Sequence, residues 1–329
     1  MALAGCLGNG TGDTSVGERD RMTCRPARVN ICRVLLTLVA FCGLGMVQTS
    51  IASVTLTQAN GETLTLPGPA GRIITLAPNL AELVFAAGAG DHLKAVVEYS
   101  NFPAMVAEIP RVGDSFRIDL ERIIELNPDL VIAWKTGNPQ TALQKLHQLG
   151  IKVWQVEIGR PEEIAGVVDS ISRAAGTEMI GEAKARQLQN KLARLQQQNA
   201  GKTPVNYFYQ IAPRPLYTIN GQHIISRSLA ICGGHNVFSE LPTLAPQISR
   251  ESVIIADPQV MIAPETPNDP PTLLAWQDWP QLQAVKNGSM LYLPADEISQ
   301  ATPRLLDSID LACKLLDEVR NKRTQMEEK

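Results

Sequence analysis

The chain has 329 residues, 44% hydrophobic and 19% charged, with a formal net charge of −3. This is the composition of an ordinary globular protein, long enough for two cores of modest size. The charge gives no basis for expecting nucleic acid or an anionic membrane as partner.

Residues 1–52 differ from the rest. Arg25, Arg28 and Arg33 precede an apolar run from Val34 to Val47, and Ser50 and Ala52 place small residues at −3 and −1 of a cleavage site after Ala52. A basic stretch, a short apolar stretch and small residues form a secretory signal peptide. The alternative is a membrane anchor, but a run of about 14 residues falls short of the ~20 that span a bilayer. Phe41 before Cys42 argues against lipoprotein processing. Met1 to Arg21 is polar and Gly-rich, unusual for a signal, and a start at Met22 would leave one of ordinary length. Cleavage removes three acidic and five basic residues, leaving 30 acidic and 25 basic, or −5. It also removes Cys6, Cys24, Cys32 and Cys42, so only Cys232 and Cys313 remain. Two cysteines in an oxidising compartment point to one disulfide, with two free buried thiols as the alternative. The bridge would close a loop of about 80 residues and stabilise by about 4 kcal/mol on chain entropy.

The mature chain opens with an alternating strand over 54–58 and a turn at Asn60-Gly61. A β-branched strand follows over 72–76, then a helix from Pro78-Asn79 that ends at Gly88. Next come a strand over 93–97, a short helix over 120–126 stopped by Asn127-Pro128, and a strand over 130–134. A helix over 141–149 and a strand over 151–156 complete an alternation that predicts a parallel, helix-flanked sheet. Pro161 opens a helix running to about Ala175. From Glu178 to Asn199 Ile180, Leu188, Leu192 and Leu195 form one stripe of a helix about 30 Å long. It serves either as a surface helix of one domain or as a strut between two. After Pro204, strands are expected over 207–211, 253–255, 260–263 and 290–293, with a helix ending at Gly233-Gly234 and another over 305–319. The charged tail 320–329 is expected to fray. The expected organisation is α/β: a signal peptide over 1–52, an N-terminal lobe over 53–176, an interdomain helix within 177–202 and a C-terminal lobe over 203–329.

No phosphate loop, HExxH, CxxC or Gly-x-Ser-x-Gly motif occurs, so nothing recommends an enzyme, a metal site or a cofactor. His92, His147, His223 and His235 are scattered without ligand spacing; His147 is expected to face solvent and His235 to bond a helix end. Ligands of open α/β sheets bind beyond the carboxyl ends of the strands. Tyr99, Trp134, Tyr217 and Asp296 follow strand ends, and for Trp134 and Tyr217 the alternative is a ring filling a lobe core.

Five stretches carry a resemblance. They are Ile74 to Leu83 (ITLAPNLAEL), Leu120 to Ile123 (LERI), Asn127 to Trp134 (NPDLVIAW), Cys232 to Phe238 (CGGHNVF) and Gln247 to Glu251 (QISRE). From Arg72 to about Asp317 the chain resembles the class III periplasmic binding proteins, and within them the cobalamin-binding branch. The resemblance implies two rigid lobes joined by one long helix, a largely preformed cleft, a Cys232–Cys313 disulfide, and a monomeric periplasmic receptor serving an ABC importer. It implies that Glu121 and Glu251 dock onto the permease, one from each lobe, and that Tyr99, Trp134, Tyr217 and Asp296 line the cleft. Two tryptophans of those receptors are missing: Ser115 stands at one position, with Phe116 beside it as a replacement ligand contact, and Ala245 at the other. Trp276 and Trp279 either replace the second wall or cap the C-terminal lobe. Arg117, Lys135, Arg214 and Arg304 keep a ferric siderophore open as the alternative ligand, since such anions favour basic clefts. Haem, which needs an axial His or Tyr, ranks below it, and an extracytoplasmic enzyme or scaffold on this fold is the remote alternative.

Overall fold

The computed structural model describes residues 53–267 and 269–327. The expected signal peptide over 1–52, its cleavage site and the expected start at Met22 therefore lie outside the described residues. Among those described, no helix is long and apolar enough to cross a membrane.

The first strands, β1 (Val54–Thr57) and β2 (Thr63–Leu66), form an antiparallel hairpin around Asn60-Gly61, with Val54 opposite Leu66. The N-terminal half then runs β3 (Ile73–Thr75), α1 (Pro78–Ala86), β4 (Leu93–Ala95), α2 (Leu120–Glu125), β5 (Leu130–Trp134), α3 (Gln140–Gln148) and β6 (Val153–Val156). Its sheet is parallel throughout, in the order β4-β3-β5-β6. β3 is buried at every position, and β5 at all but Trp134, as expected for strands covered by helices on both faces. Two helices follow, α4 (Glu163–Ala175) and α5 (Glu178–Asn199). α5 has 22 residues and is about 33 Å long. Its buried face is Gly181, Ala185, Leu188, Leu192 and Leu195. Ile180, expected in that stripe, is instead more than half exposed. The small residues take its place because α4 packs so close that a Cβ on Gly181 would collide with Ser172.

The C-terminal half runs β7 (Val205–Tyr209), β8 (Ala212–Pro213), β9 (Leu216–Tyr217), α6 (Ile224–Ile231), β10 (Gly234–Asn236), α7 (Arg250–Ala256) and β11 (Val260–Glu265). It closes with α8 (Gln283–Lys286), β12 (Met290–Pro294), α9 (Ala295–Ile298) and α10 (Leu305–Glu327). Its sheet is also parallel, in the order β10-β7-β11-β12. Numbered within each four-stranded sheet, both read 2-1-3-4.

Three expectations fail in this half. Residues 253–255 are not a strand but part of α7. Ser249 caps that helix by accepting the Ser252 N–H, and Asp257 ends it in the left-handed region at φ 40°. Only Val253 of the three is buried, so the apolar run is one core contact and an exposed edge. The tail does not fray at Arg320: α10 continues to Glu327. Arg320 there donates to the carbonyls of Thr203 and Cys232 and pairs with Asp317, which ties the last turns down. His235 lies exposed within β10 rather than at a helix end, whereas His147 is exposed on α3 as expected. The Cys232–Cys313 disulfide joins the end of α6 to α10.

One cluster of buried apolar residues extends from Leu56 in the first hairpin through α4 and α5 to Leu305, Ile309 and Val319 on α10. Smaller clusters lie on the outer face of each sheet. The lobes therefore share a core, which resists large hinge opening.

Candidate functional site

In each sheet the strand order reverses between its first and third strands, β3 and β5 in one lobe and β7 and β11 in the other. Such a reversal leaves a crevice beyond the carboxyl ends. The two crevices face each other across one cavity of about 410 Å³. Pro78 and Asn79 at the start of α1, Trp134 at the end of β5, and Thr136 and Glu157 line one side. Gln222, His223 and Ile224 at the start of α6, with Leu244, Ser299 and Gln300, line the other.

Trp134 is partly buried, packed against the shared core and lining the cavity, so it forms a wall of the cleft rather than filling the lobe. Its position is set by Asn138, which is 5% exposed. The Asn138 Oδ1 accepts the Trp134 N–H at 2.7 Å, while Nδ2 donates to the carbonyls of Leu76 at 2.7 Å and Ser115 at 2.9 Å. One buried amide thus fastens the ends of β3 and β5 to the 113–118 loop, with its polar atoms satisfied. Gly137 lets the indole lie over the following turn, since a Cβ there would stand 2.9 Å from Trp134 Cδ1. Beyond it, the Thr136 amide and hydroxyl both donate to the Glu157 carboxylate at 3.0–3.1 Å.

A second cavity of about 100 Å³ brings Tyr99 and Asp296 together from opposite lobes. It shares Pro78 and Gln300 with the first, so the two are neighbouring parts of one cleft. Tyr99 is 77% exposed and sits at φ 65°, a conformation that costs about 1 kcal/mol for a non-Gly residue. Arg111 braces the neighbouring residue by donating to the Ser100 carbonyl at 3.1 Å. The cleft floor is an ion pair between lobes. Arg304 donates through Nε and Nη2 to the buried Glu82 carboxylate at 2.8–3.2 Å, and its guanidinium lies 4.1 Å from the Phe102 ring centroid. Lys191 on α5 and Asp307 on α10 form a further pair between these helices.

Phe116 and Tyr217 line neither cavity. Phe116 is 77% exposed on the 113–118 loop, where Asp114 accepts the amides of Phe116 and Arg117 at 2.7 Å. Those backbone bonds hold the Asp114 carboxyl below its ordinary range. Tyr217 is half-buried on β9 and bridges to Gln247. Trp276 takes the capping role. It is buried in the outer core of the C-terminal lobe, edge-on to Phe208 with centroids 5.8 Å apart, and donates to Gln210 Oε1. Trp279 packs on Trp276 under Arg250. Beside Ala245, it is Leu244 that reaches the cleft. Sequence reasoning missed Asn138, His223 and Leu244; of these only Asn138 carried a signal, as an Asn four residues past an apolar strand.

Glu121 and Glu251 are exposed on corresponding turns of an internal repeat, Asp119–Trp134 and Ser249–Pro264. Asp119 and Ser249 each cap by accepting the N–H three residues on, from Arg122 and Ser252. Ile123 and Val253 are buried, Asn127 and Asp257 have φ 43° and 40°, and Pro128 and Pro258 follow. Asp129 accepts the Arg72 amide just as Gln259 accepts the Asn206 amide. The Glu251 carboxyl is held below its ordinary range by its own backbone N–H and by the Ser249 hydroxyl.

Residues 73–297 match the model of a family described as periplasmic binding protein. The vitamin B12-binding protein of Vibrio cholerae serotype O1 is 37% identical over 254 residues, which cover 77% of this chain and 91% of that relative. The solved structure of the periplasmic vitamin B12 binding protein BtuF of Vibrio cholerae aligns at TM-score 0.71 and 36% identity, covering 77% of this chain and 98% of that one. The periplasmic heme binding protein HutB of the same species aligns at TM-score 0.66 and 22% identity, over 74% and 98%, which is a likeness of fold alone.

Proposed function

The chain belongs to the periplasmic binding protein family, and from that membership we propose that it is an exported receptor, not an enzyme, that captures cobalamin between its lobes and delivers it to an ABC importer. The observation that carries this reading is the interlobe cleft, in which Trp134 forms an apolar wall and Tyr99 meets Asp296 from the opposite lobe. A corrin ring is a large plate with an apolar face and an amide rim, and such a ligand gains from an aromatic wall with few charges. The binding of vitamin B12 by relatives above one-third identity supports the same ligand. Phe116 and Tyr217 join the site only as rim contacts above the ligand.

A ferric siderophore fits less well. Among the described residues that line the larger cavity none is Arg or Lys. The charge of Arg304 is taken up by Glu82, and the Lys135 ammonium donates to the Ala59 carbonyl. Glu121 and Glu251, on equivalent helices of the repeat, suit a partner that offers two like basic pockets, as paired permease subunits would. The receptor acts as a monomer in the periplasm after loss of residues 1–52.

The test is uptake and capture together. Mature protein incubated with cyanocobalamin and desalted retains the corrin absorbance, and the Glu121→Ala/Glu251→Ala variant retains it equally while failing to support uptake. Retention of a ferric chelate or haem in place of cobalamin overturns the ligand, and normal uptake by the double variant removes the docking role.

A further inference from the structure

His223 stands at the N-terminus of α6 and is one of the residues lining the larger cavity. Its Nδ1 accepts the Ile225 backbone N–H at 3.2 Å, one of the donors that a helix start leaves over. A ring nitrogen that accepts is unprotonated, so a neutral imidazole carries its proton on Nε2. Burial favours that neutral ring by lowering the pKa below the ordinary histidine value. No other described residue accepts a hydrogen bond from Nε2, although the ring is fixed by the helix.

The surroundings narrow what Nε2 can serve. On the facing wall, the Glu157 carboxylate is already engaged by the amide and hydroxyl of Thr136. The corresponding helix start of the other lobe, α1, has Ala77 at its cap and Pro78 in its first turn, so it offers no capping side chain. The side-chain amides of Asn79, Gln222 and Gln300 also line the cavity, but among these donors it is the His223 ring that the fold fixes, through the cap it makes.

We propose that His223 is a specificity residue of the cleft, whose Nε2–H donates to a carbonyl oxygen on the amide rim of the corrin ring. This rests on the cobalamin reading and deepens it. A neutral donor suits a neutral amide, whereas an anionic chelate would call for a charged group. A ligand without an acceptor at this point leaves the donor stranded in a partly dry site, which is how polar groups discriminate strongly.

The cap and the cleft bond separate by substitution. His223→Asn keeps an oxygen that caps α6 but draws the nearest N–H back from the Nε2 position to the shorter amide nitrogen, while His223→Gln keeps an N–H at about the reach of Nε2 and gives up the favoured cap. Calorimetric titration of the mature protein with cyanocobalamin is expected to show His223→Asn about fivefold to tenfold weaker, with Tm held at the wild-type value. His223→Gln is expected to recover part of the affinity at a lower Tm. Cobinamide, which keeps the ring amides and lacks the nucleotide, is expected to lose affinity by the same factor. Wild-type affinity in His223→Asn overturns the proposal and leaves a purely structural cap. A loss confined to cobalamin overturns the assignment to the ring amides. Failure of the wild-type protein to bind either corrinoid brings down the ligand reading itself, and the proposal with it.

Discussion

The two lobes share a strand order and a sixteen-residue repeat, yet they line the cleft by different means. In the N-terminal lobe the third strand itself ends in the cleft, with Leu130 to Ala133 buried and Trp134 as the wall. In the C-terminal lobe the repeat ends in Pro264, two residues beyond the last β7 partner at Ile262, where a missing N–H breaks no bond to that strand. The β8–β9 hairpin, inserted between β7 and α6, carries the aromatic residue Tyr217 instead, and the start of α6 lines the cleft. One scaffold repeated therefore presents an aromatic wall from a strand end on one side and a capped helix start on the other, each with polar neighbours. That suits a ligand with an apolar face and a polar rim.

The lobes also differ in what holds them. Only the C-terminal lobe is cross-linked, through Cys232 and Cys313, 81 residues apart. The variant C232S/C313S is expected to lose about 4 kcal/mol of unfolding free energy, read from denaturant melts. A loss under 1 kcal/mol would mean that packing of α6 on α10 suffices alone. Between the lobes, Arg304→Met strands the buried Glu82 carboxylate and is expected to cost about 3 kcal/mol. The same melts check it, and a wild-type midpoint would show that the lobes are held together elsewhere.

Trp134→Ala is expected to leave a folded protein that melts cooperatively, while weakening cobalamin binding by about 2 kcal/mol in titration. The reverse pattern would return Trp134 to the lobe core. The smallest effect is expected at Ile255, 84% exposed where the other repeat has Glu125. Ile255→Glu makes the C-terminal repeat more like the N-terminal one and is expected to change stability by less than about 0.5 kcal/mol. A strand with Ile255 buried would instead lose several times that.

That last contrast marks what could be read from sequence. The strands over 72–76 and 130–134 and the long helix over 178–199 were legible because burial on both faces leaves unbroken apolar runs and burial on one leaves a stripe. Val253 to Ile255 misled because three β-branched residues in a row favour a strand when caps are ignored. Set against Leu120 to Leu126, the same stretch reads as a helix between Ser249 and Asp257. β8 and β9 are too short for any period to show. Trp134 was legible as a strand-end aromatic, but the Asn138 amide that holds it works through three segments distant in sequence. His223 looked like an isolated histidine because its meaning comes from the helix it caps and the lobe it faces.

The central claim is that both lobes grip one corrinoid in a cleft already formed. Calorimetric titration of the mature protein with cyanocobalamin tests it most directly. The account predicts saturation at one ligand per chain, with affinity reduced in both Trp134→Ala on one lobe and His223→Asn on the other. Absence of binding heat with cobalamin and cobinamide, or affinity that depends on one lobe alone, would contradict it.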